Sequence, residues 1–243
     1  MNYNQFSNLS CYEEFGIQCD LTGISKIDVL KEIGHKINDY YFFISNDGIF
    51  NWFDLKGNHI EDPGSLKKIK EEYIPKNITK CVIPDSVTSI CSWAFSQCKL
   101  LTLINIPDNL TSIGYEAFSG CESLEEITIP NNVTSIGNGA FFWCKSLKSI
   151  TIPDSVTSIG NRTFFYCVSL KEVIIPNSVA SIGNGAFFYC KSLKSITIPN
   201  SVKSISKDAF YECDSLKEVI FKGKTLMNSN KWRLISLELR MEI

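Results

Sequence analysis

The sequence predicts a mainly β repeat solenoid, a stack of 23-residue coils preceded by a small α+β cap. Three observations carry this reading. Proline recurs at Pro84, Pro107, Pro130, Pro153, Pro176 and Pro199, and cysteine keeps the same step at Cys98, Cys121, Cys144, Cys167, Cys190 and Cys213. The stretch SIGNGAFFWCKSLKSITIPDSV, from Ser135 to Val156, returns two units later as SIGNGAFFYCKSLKSITIPNSV, from Ser181 to Val202, with only two substitutions. A fixed period of this kind marks stacked units, none of which can bury its apolar face alone.

From the N-terminus, residues 1–76 lie outside the period and are expected to cap the open end of the stack. Ser25 is placed to cap a helix through about Asn38, with Ile27, Leu30, Ile33 and Ile37 on one face. YYFFIS and IFNWFDL flank Asn46-Asp47-Gly48, a hairpin signal. A second short helix is predicted from the stripe Leu66, Ile69 and Tyr73. Residues 77–221 form the array. It opens with half a unit, in which Ile78, Cys81 and Ile83 match the strand columns, and continues as six whole units over residues 84–221.

The unit reads close to P-[DN]-x-V-x-S-I-G-x-x-A-F-x-x-C-x-S-L-x-x-I-x-I. Leu124, Ile127 and Ile129 and their equivalents suit a short strand with its apolar side chains inward. Strands stacked about 4.8 Å apart would give six units a length of roughly 30 Å. Proline cannot donate to a sheet ladder, so it marks the corner where the strand ends. Val133 and Ile136 form a second inward pair. Ala140 leaves room beside Phe141, and the phenyl column builds a spine. Gly114, Gly137, Gly160 and Gly183 are expected at a turn with positive φ. The in-register thiols are expected to point inward as small apolar residues rather than form disulfides. Cys11 and Cys19 stand outside the register.

Residues 222–243 are expected to supply a C-terminal cap strand, because Ile235 to Ile243 alternate apolar and polar without interruption. Such a strand either closes the array or, left as an open edge, supports self-association through residues 235–243.

Composition narrows the function classes. The formal net charge of -2 gives no reason to expect nucleic acid. No apolar run reaches the roughly 18 residues of a membrane span. The opening residues lack the pattern of a secretory signal, so the cytoplasm is the expected compartment on that ground. His35 and His59 are the only histidines, and neither sits in a catalytic motif. No C-x-x-C occurs. The expectation is therefore no enzyme, no cofactor and no metal.

A binding surface is the better expectation. After the buried Phe of A-F, two positions precede each Cys. They read Ser96-Gln97 and Ser119-Gly120, then Phe142-Trp143, Phe165-Tyr166, Phe188-Tyr189 and Tyr211-Glu212. Two arrangements are open: an outward aromatic stripe that contacts a protein partner, or rings that merely pack on the next coil. The strand face is a second candidate. Its outward column is Asn105, Thr128, Thr151, Ile174, Thr197 and Ile220, flanked by Lys148, Lys171, Lys194 and Lys217.

The I-P-[DN]-S-V-T-S-I-G, A-F-x-x-C and S-L-K-x-I-x-I-P segments resemble the BspA-like, or Treponema-type, leucine-rich repeat family, and the ending KEVIFKGKTL is similar to the way such arrays finish. The resemblance implies a leucine-rich-repeat right-handed coil with little helix. It further implies protein–protein contact, adhesion and a surface or secreted location, and it does not imply an enzymatic activity.

Overall fold

The computed structural model describes residues 34–44, 49–56, 58–206, 208–221 and 224–227. Strands β1 (His35–Ile37), β2 (Tyr40–Ile44), β3 (Phe50–Asp54) and β4 (His59–Ile60) form an antiparallel sheet in sequence order. The predicted hairpin is present, with Tyr40 opposite Asp54 and Ile44 opposite Phe50. Its Asn46-Asp47-Gly48 turn lies outside the described residues. The predicted helix is corrected at its C-terminal end, and its residues 25–33 are not described. His35–Ile37 is a strand because Asn38, at φ 52°, closes a two-residue turn that returns the chain onto β2.

Short and long strands then alternate along the chain. They are β5 (Lys68–Ile69), β6 (Lys80–Val82), β7 (Ser89–Ile90), β8 (Leu103–Asn105), β9 (Ser112–Ile113), β10 (Ser135–Ile136), β11 (Ser149–Thr151), β12 (Ser158–Ile159), β13 (Glu172–Ile174), β14 (Ser181–Ile182), β15 (Ser195–Ile198), β16 (Ser204–Ile205) and β17 (Glu218–Phe221). Each pairs in parallel with its equivalent in the neighbouring coil, as in Ser158 with Ser181 and Ile150 with Val173. Glu126 makes a single parallel bridge to Ser149 where a long strand would otherwise stand. Strand β18 (Lys224–Met227) runs antiparallel on β17 and ends the described chain. The alternating segment 235–243 lies outside the described residues.

The predicted helix on Leu66, Ile69 and Tyr73 is replaced by β5 and a 3₁₀ turn at Glu71–Tyr73. Leu66 and Ile69 are instead the inward pair of an additional coil, equivalent to Val87 and Ile90, and β5 pairs with β7. Stacking thus begins ahead of residue 77.

Three faces of each coil are laddered to the next. Between the two strand faces, each proline carbonyl accepts the N–H three residues on, as from Val133 to Pro130 at 3.0 Å. On the third face the A-F turn donates onward, as from Phe118 N–H to the Ala140 carbonyl at 2.8 Å. Inside, Phe95, Phe118, Phe141, Phe164, Phe187 and Phe210 stack at 5.1 to 5.5 Å between centroids, the spine the sequence predicts. The cysteines of the 23-residue column, Cys98 to Cys213, are buried and free, and their thiols do more than fill space. Cys121, Cys144, Cys167, Cys190 and Cys213 each donate to the carbonyl of the Phe 26 residues earlier, at 3.0 to 3.2 Å. Phe42, Ile44 and Trp52 of the N-terminal sheet join the same continuous core.

The glycine expectation is corrected. Gly114, Gly137, Gly160 and Gly183 do not have positive φ; they are required for space. A Cβ on Gly114 would lie 2.4 Å from Ser92 N, and one on Gly160 would lie 2.5 Å from Asn138 Oδ1. Positive φ belongs to two other columns, Trp93, Glu116, Gly139, Arg162 and Gly185, and Gln97, Gly120, Trp143, Tyr166, Tyr189 and Glu212.

Candidate functional site

The A-F-x-x-C turn is compact because two of its residues are left-handed, and that geometry aims the two residues before each Cys away from the spine. Both arrangements left open by the sequence occur together. Phe142, Phe165, Phe188 and Tyr211 stack coil on coil at 5.1, 4.6 and 5.1 Å. Trp143, Tyr166 and Tyr189 form a parallel ladder at 5.2 and 4.3 Å. None of the seven is buried; six are half-buried and Trp143 is 39% exposed. The rings therefore pack on their neighbours and still border solvent as one surface.

Both ends of the Trp/Tyr ladder carry a cation. Lys145 Nζ stands 5.0 Å from the Trp143 ring centroid and pairs with Glu122 of the preceding coil at 2.8 Å. Lys191 Nζ stands 4.2 Å from the Tyr189 centroid and pairs with Asp214 of the following coil at 3.5 Å. The Tyr166 hydroxyl hydrogen-bonds to Tyr189, which raises the Tyr166 pKa, and hydrogen bonding to the Lys191 ammonium lowers that of Tyr189. Arg162 lies 5.9 Å over Phe165. Between coils each ring face is covered by the neighbouring ring, and Lys145 and Lys191 stand over Trp143 and Tyr189, so along the ladders the surface offers ring edges and a hydroxyl rim. Spacings of 4.3 to 5.2 Å leave no room for a ligand to insert between rings.

Two exposed aromatics escaped the sequence reading. Trp93 and Tyr115, 46% and 44% exposed, meet edge to face at 5.3 Å at the N-terminal end of the same turn face. The available signal was their departure from columns otherwise holding Glu116, Gly139, Arg162 and Gly185, and Asn138, Asn161 and Asn184.

On the strand face, Asn105, Thr128, Thr151, Ile174 and Thr197 are exposed and Ile220 is half-buried. Lys148 is paired with Glu125, while Lys171, Lys194 and Lys217 are exposed. The exposed large apolar residues of this face are Val82, Leu103 and Ile174, whose exposure is 52, 58 and 53%. Among the described residues no helix is long and apolar enough to cross a membrane, and no group of three His, Cys, Asp or Glu side chains is placed to hold a metal ion.

Comparison with known proteins agrees with this architecture. A model of the BspA type leucine rich repeat region, present in six copies, matches residues 67–190 and 111–232. A leucine rich cell surface protein from Faecalibacterium prausnitzii is 30% identical, with a TM-score of 0.61 over 82% of this chain and 59% of that one. The T. pallidum leucine rich repeat protein TpLRR is 35% identical, with a TM-score of 0.58 over 61% of this chain and 71% of that one. A leucine-rich repeat protein from Eubacterium ventriosum is 28% identical, with a TM-score of 0.52 over 78% of this chain and 53% of that one. The chain therefore spans little more than half of the first and third of these. No curated protein matches. On its repeat, its fold and its solved relatives, the chain belongs to the BspA-type leucine-rich repeat family.

Proposed function

We propose that this protein is a non-enzymatic scaffold that binds a protein partner through the aromatic turn face formed by Phe142, Trp143, Phe165, Tyr166, Phe188, Tyr189 and Tyr211. One observation carries the proposal. Trp143, Tyr166 and Tyr189 have φ of 60, 64 and 63°, in the column that holds Gly120 one coil earlier. A side chain with a Cβ costs roughly 1–2 kcal/mol in that conformation. These rings contribute nothing to the interior, which Phe141, Phe164 and Phe187 fill. Bulky aromatics maintained at an unfavourable backbone position, outside the core and in one line, fit a contact surface, where Trp and Tyr dominate the binding energy. Closed ring faces disfavour a ligand that must stack on them and favour the broad, edge-on contact of a folded protein surface.

The cap reading of residues 1–76 draws support from the sheet of β1 to β4, whose Phe42, Ile44 and Trp52 continue the array's core. A surface or secreted setting draws support from the Faecalibacterium relative, which is described as a cell surface protein.

The test is capture of host-matrix proteins and of a cytosolic extract by the full chain, in parallel with a variant carrying Trp143→Gly, Tyr166→Gly and Tyr189→Gly. Glycine restores the residue that suits this backbone, so the fold is retained. A specific partner lost at least tenfold by the variant is the expected result. Equal capture by both proteins removes the proposal.

A further inference from the structure

Cys98, Cys121, Cys144, Cys167, Cys190 and Cys213 are free thiols in line, each with no exposed surface. All but the first donate to a Phe carbonyl of the preceding coil. The Phe118 carbonyl, for instance, accepts the Cys121 N–H at 3.2 Å and the Cys144 thiol at 3.1 Å. Side chains that stand in parallel on coils about 4.8 Å apart keep their Cβ atoms at about that separation. A disulfide needs Cβ atoms about 3.5–4.5 Å apart, sulfurs about 2.05 Å apart and side chains turned towards each other. Neighbouring column thiols reach that geometry only by leaving their carbonyls. More distant pairs do not reach it at all, since Cys98 and Cys167 stand about 14 Å apart in the stack. Exchange also begins with a thiolate, and burial raises the pKa of Cys121, Cys144 and Cys190 well above 9.0. Cys213 adds to burial in raising the Cys190 pKa, which makes this pair the first place to look for native oxidation. None of these protections exists before the coils stack. In the unfolded chain the thiols ionise normally, and loops of 23 residues between them close at little entropic cost.

We propose that the cysteine column makes assembly of the solenoid a redox gate: the array forms only from reduced cysteines, and once formed it is closed to disulfide oxidants. The competing reaction is thiol–disulfide exchange. One column thiolate attacks oxidised glutathione and releases reduced glutathione. A second attacks the mixed disulfide, forms the protein S–S bond and releases the other glutathione. The two protein thiol protons end on the two glutathione thiols. A pair joined in this way cannot enter the ladder, so the coils that carry it lose their Phe–Cys contacts and their register. A chain that acts at a cell surface then has to complete its coils before it meets an oxidant. The gate rests on the array alone and stands independently of the proposed partner contact.

The full chain is unfolded in guanidinium chloride with reductant, freed of the reductant, and diluted into buffer containing either reduced or oxidised glutathione. Native protein is held in the same oxidised buffer. The chain refolded in reduced glutathione should regain its cooperative urea transition. In oxidised glutathione most of that transition should be lost, and added dithiothreitol should restore it. The native protein should keep its transition throughout, with its column thiols found free by mass mapping. Mapping of the trapped chain should find disulfides that join column cysteines. Equal refolding in the two buffers overturns the proposal, as do column disulfides in the native protein. Failure that dithiothreitol does not reverse overturns it as well. So do trapped disulfides confined to Cys11, Cys19, Cys81 and Cys91, which lie outside the column.

Discussion

Two aromatic columns separated by one or two positions in the chain differ in what holds them. Phe164 is fully buried between Phe141 and Phe187, with ring centroids 5.5 and 5.3 Å away. Truncating a buried Phe costs 3–5 kcal/mol, so Phe164→Ala should lower stability by about that amount. Tyr166, two residues on, gains stacking worth about 0.5–1.5 kcal/mol per pair but sits at φ 64°. Relief of about 1–2 kcal/mol of backbone cost offsets the lost stacking, and Tyr166→Gly should change stability by under about 1 kcal/mol. Urea denaturation of both variants checks the contrast, and an equally large loss for Tyr166→Gly would mean that the ladder is structural. A similar separation applies to glycine. Gly160→Ala places a methyl 2.5 Å from Asn138 Oδ1, breaks the bond to Asn161 N–H, and should cost about 1–3 kcal/mol or more as an overpacked contact. Gly64→Ala is crowded by nothing nearer than 4.0 Å, so its cost comes only from its φ of +67°.

At the level of the coil, the thiol ladder is the element least like a conventional apolar core. Burial lifts the Cys81 pKa to about 12 and that of Cys98 to about 11, and burial also raises Cys121, Cys144 and Cys190 well above the ordinary value of 9.0. Unfolded thiols ionise near 9.0 while folded ones stay protonated, so the folded state binds more protons above that pH. This contribution to stability is intact below pH 9, and it is lost as pH rises from 9 towards 11 and 12. Two outcomes follow: the buried thiols should resist alkylation at pH 8 until the protein is denatured, and the melting temperature should fall above pH 9. Fast labelling of all the column thiols in the native protein would contradict the ladder. The 23-residue period made the coil, the spine and the inward thiols legible, because each inward column is constrained at every turn. It did not disclose why a column is constrained. Gly137 and Gly160 read as turn glycines, since identity alone does not separate a need for positive φ from a need for space. Leu66 and Ile69 read as a helical stripe, because the L-x-x-I spacing of an early coil matches helix periodicity when proline and cysteine landmarks are absent. The stripe at Phe142–Tyr211 was legible as a series, whereas Trp93 and Tyr115 occur once each and leave no periodic trace.

At the scale of the molecule, the near-identity of Ser135–Val156 and Ser181–Val202 means that coils two apart present almost the same top and bottom to their neighbours. Stability in such an array is close to a sum over coils and nearest-neighbour interfaces. Removing residues 135–180 joins Thr134 to Ser181, which is the residue type that follows Thr134 in the intact chain. Phe187 then takes the place of Phe141 above Phe118, Cys190 that of Cys144, and Gly183 that of Gly137, so every ladder is restored across the seam. The shortened protein should fold cooperatively, with a smaller denaturant slope in proportion to the surface no longer buried and lower overall stability. Deleting residues 135–168, which is not a whole number of coils, brings Ser169 to the position of Ser135 and misaligns the proline, phenylalanine and cysteine columns together; that protein should not fold. Circular dichroism and urea titration of the two deletions distinguish them. If the 46-residue deletion also fails, the array depends on long-range coupling between its ends, and the nearest-neighbour picture of this solenoid would have to be given up.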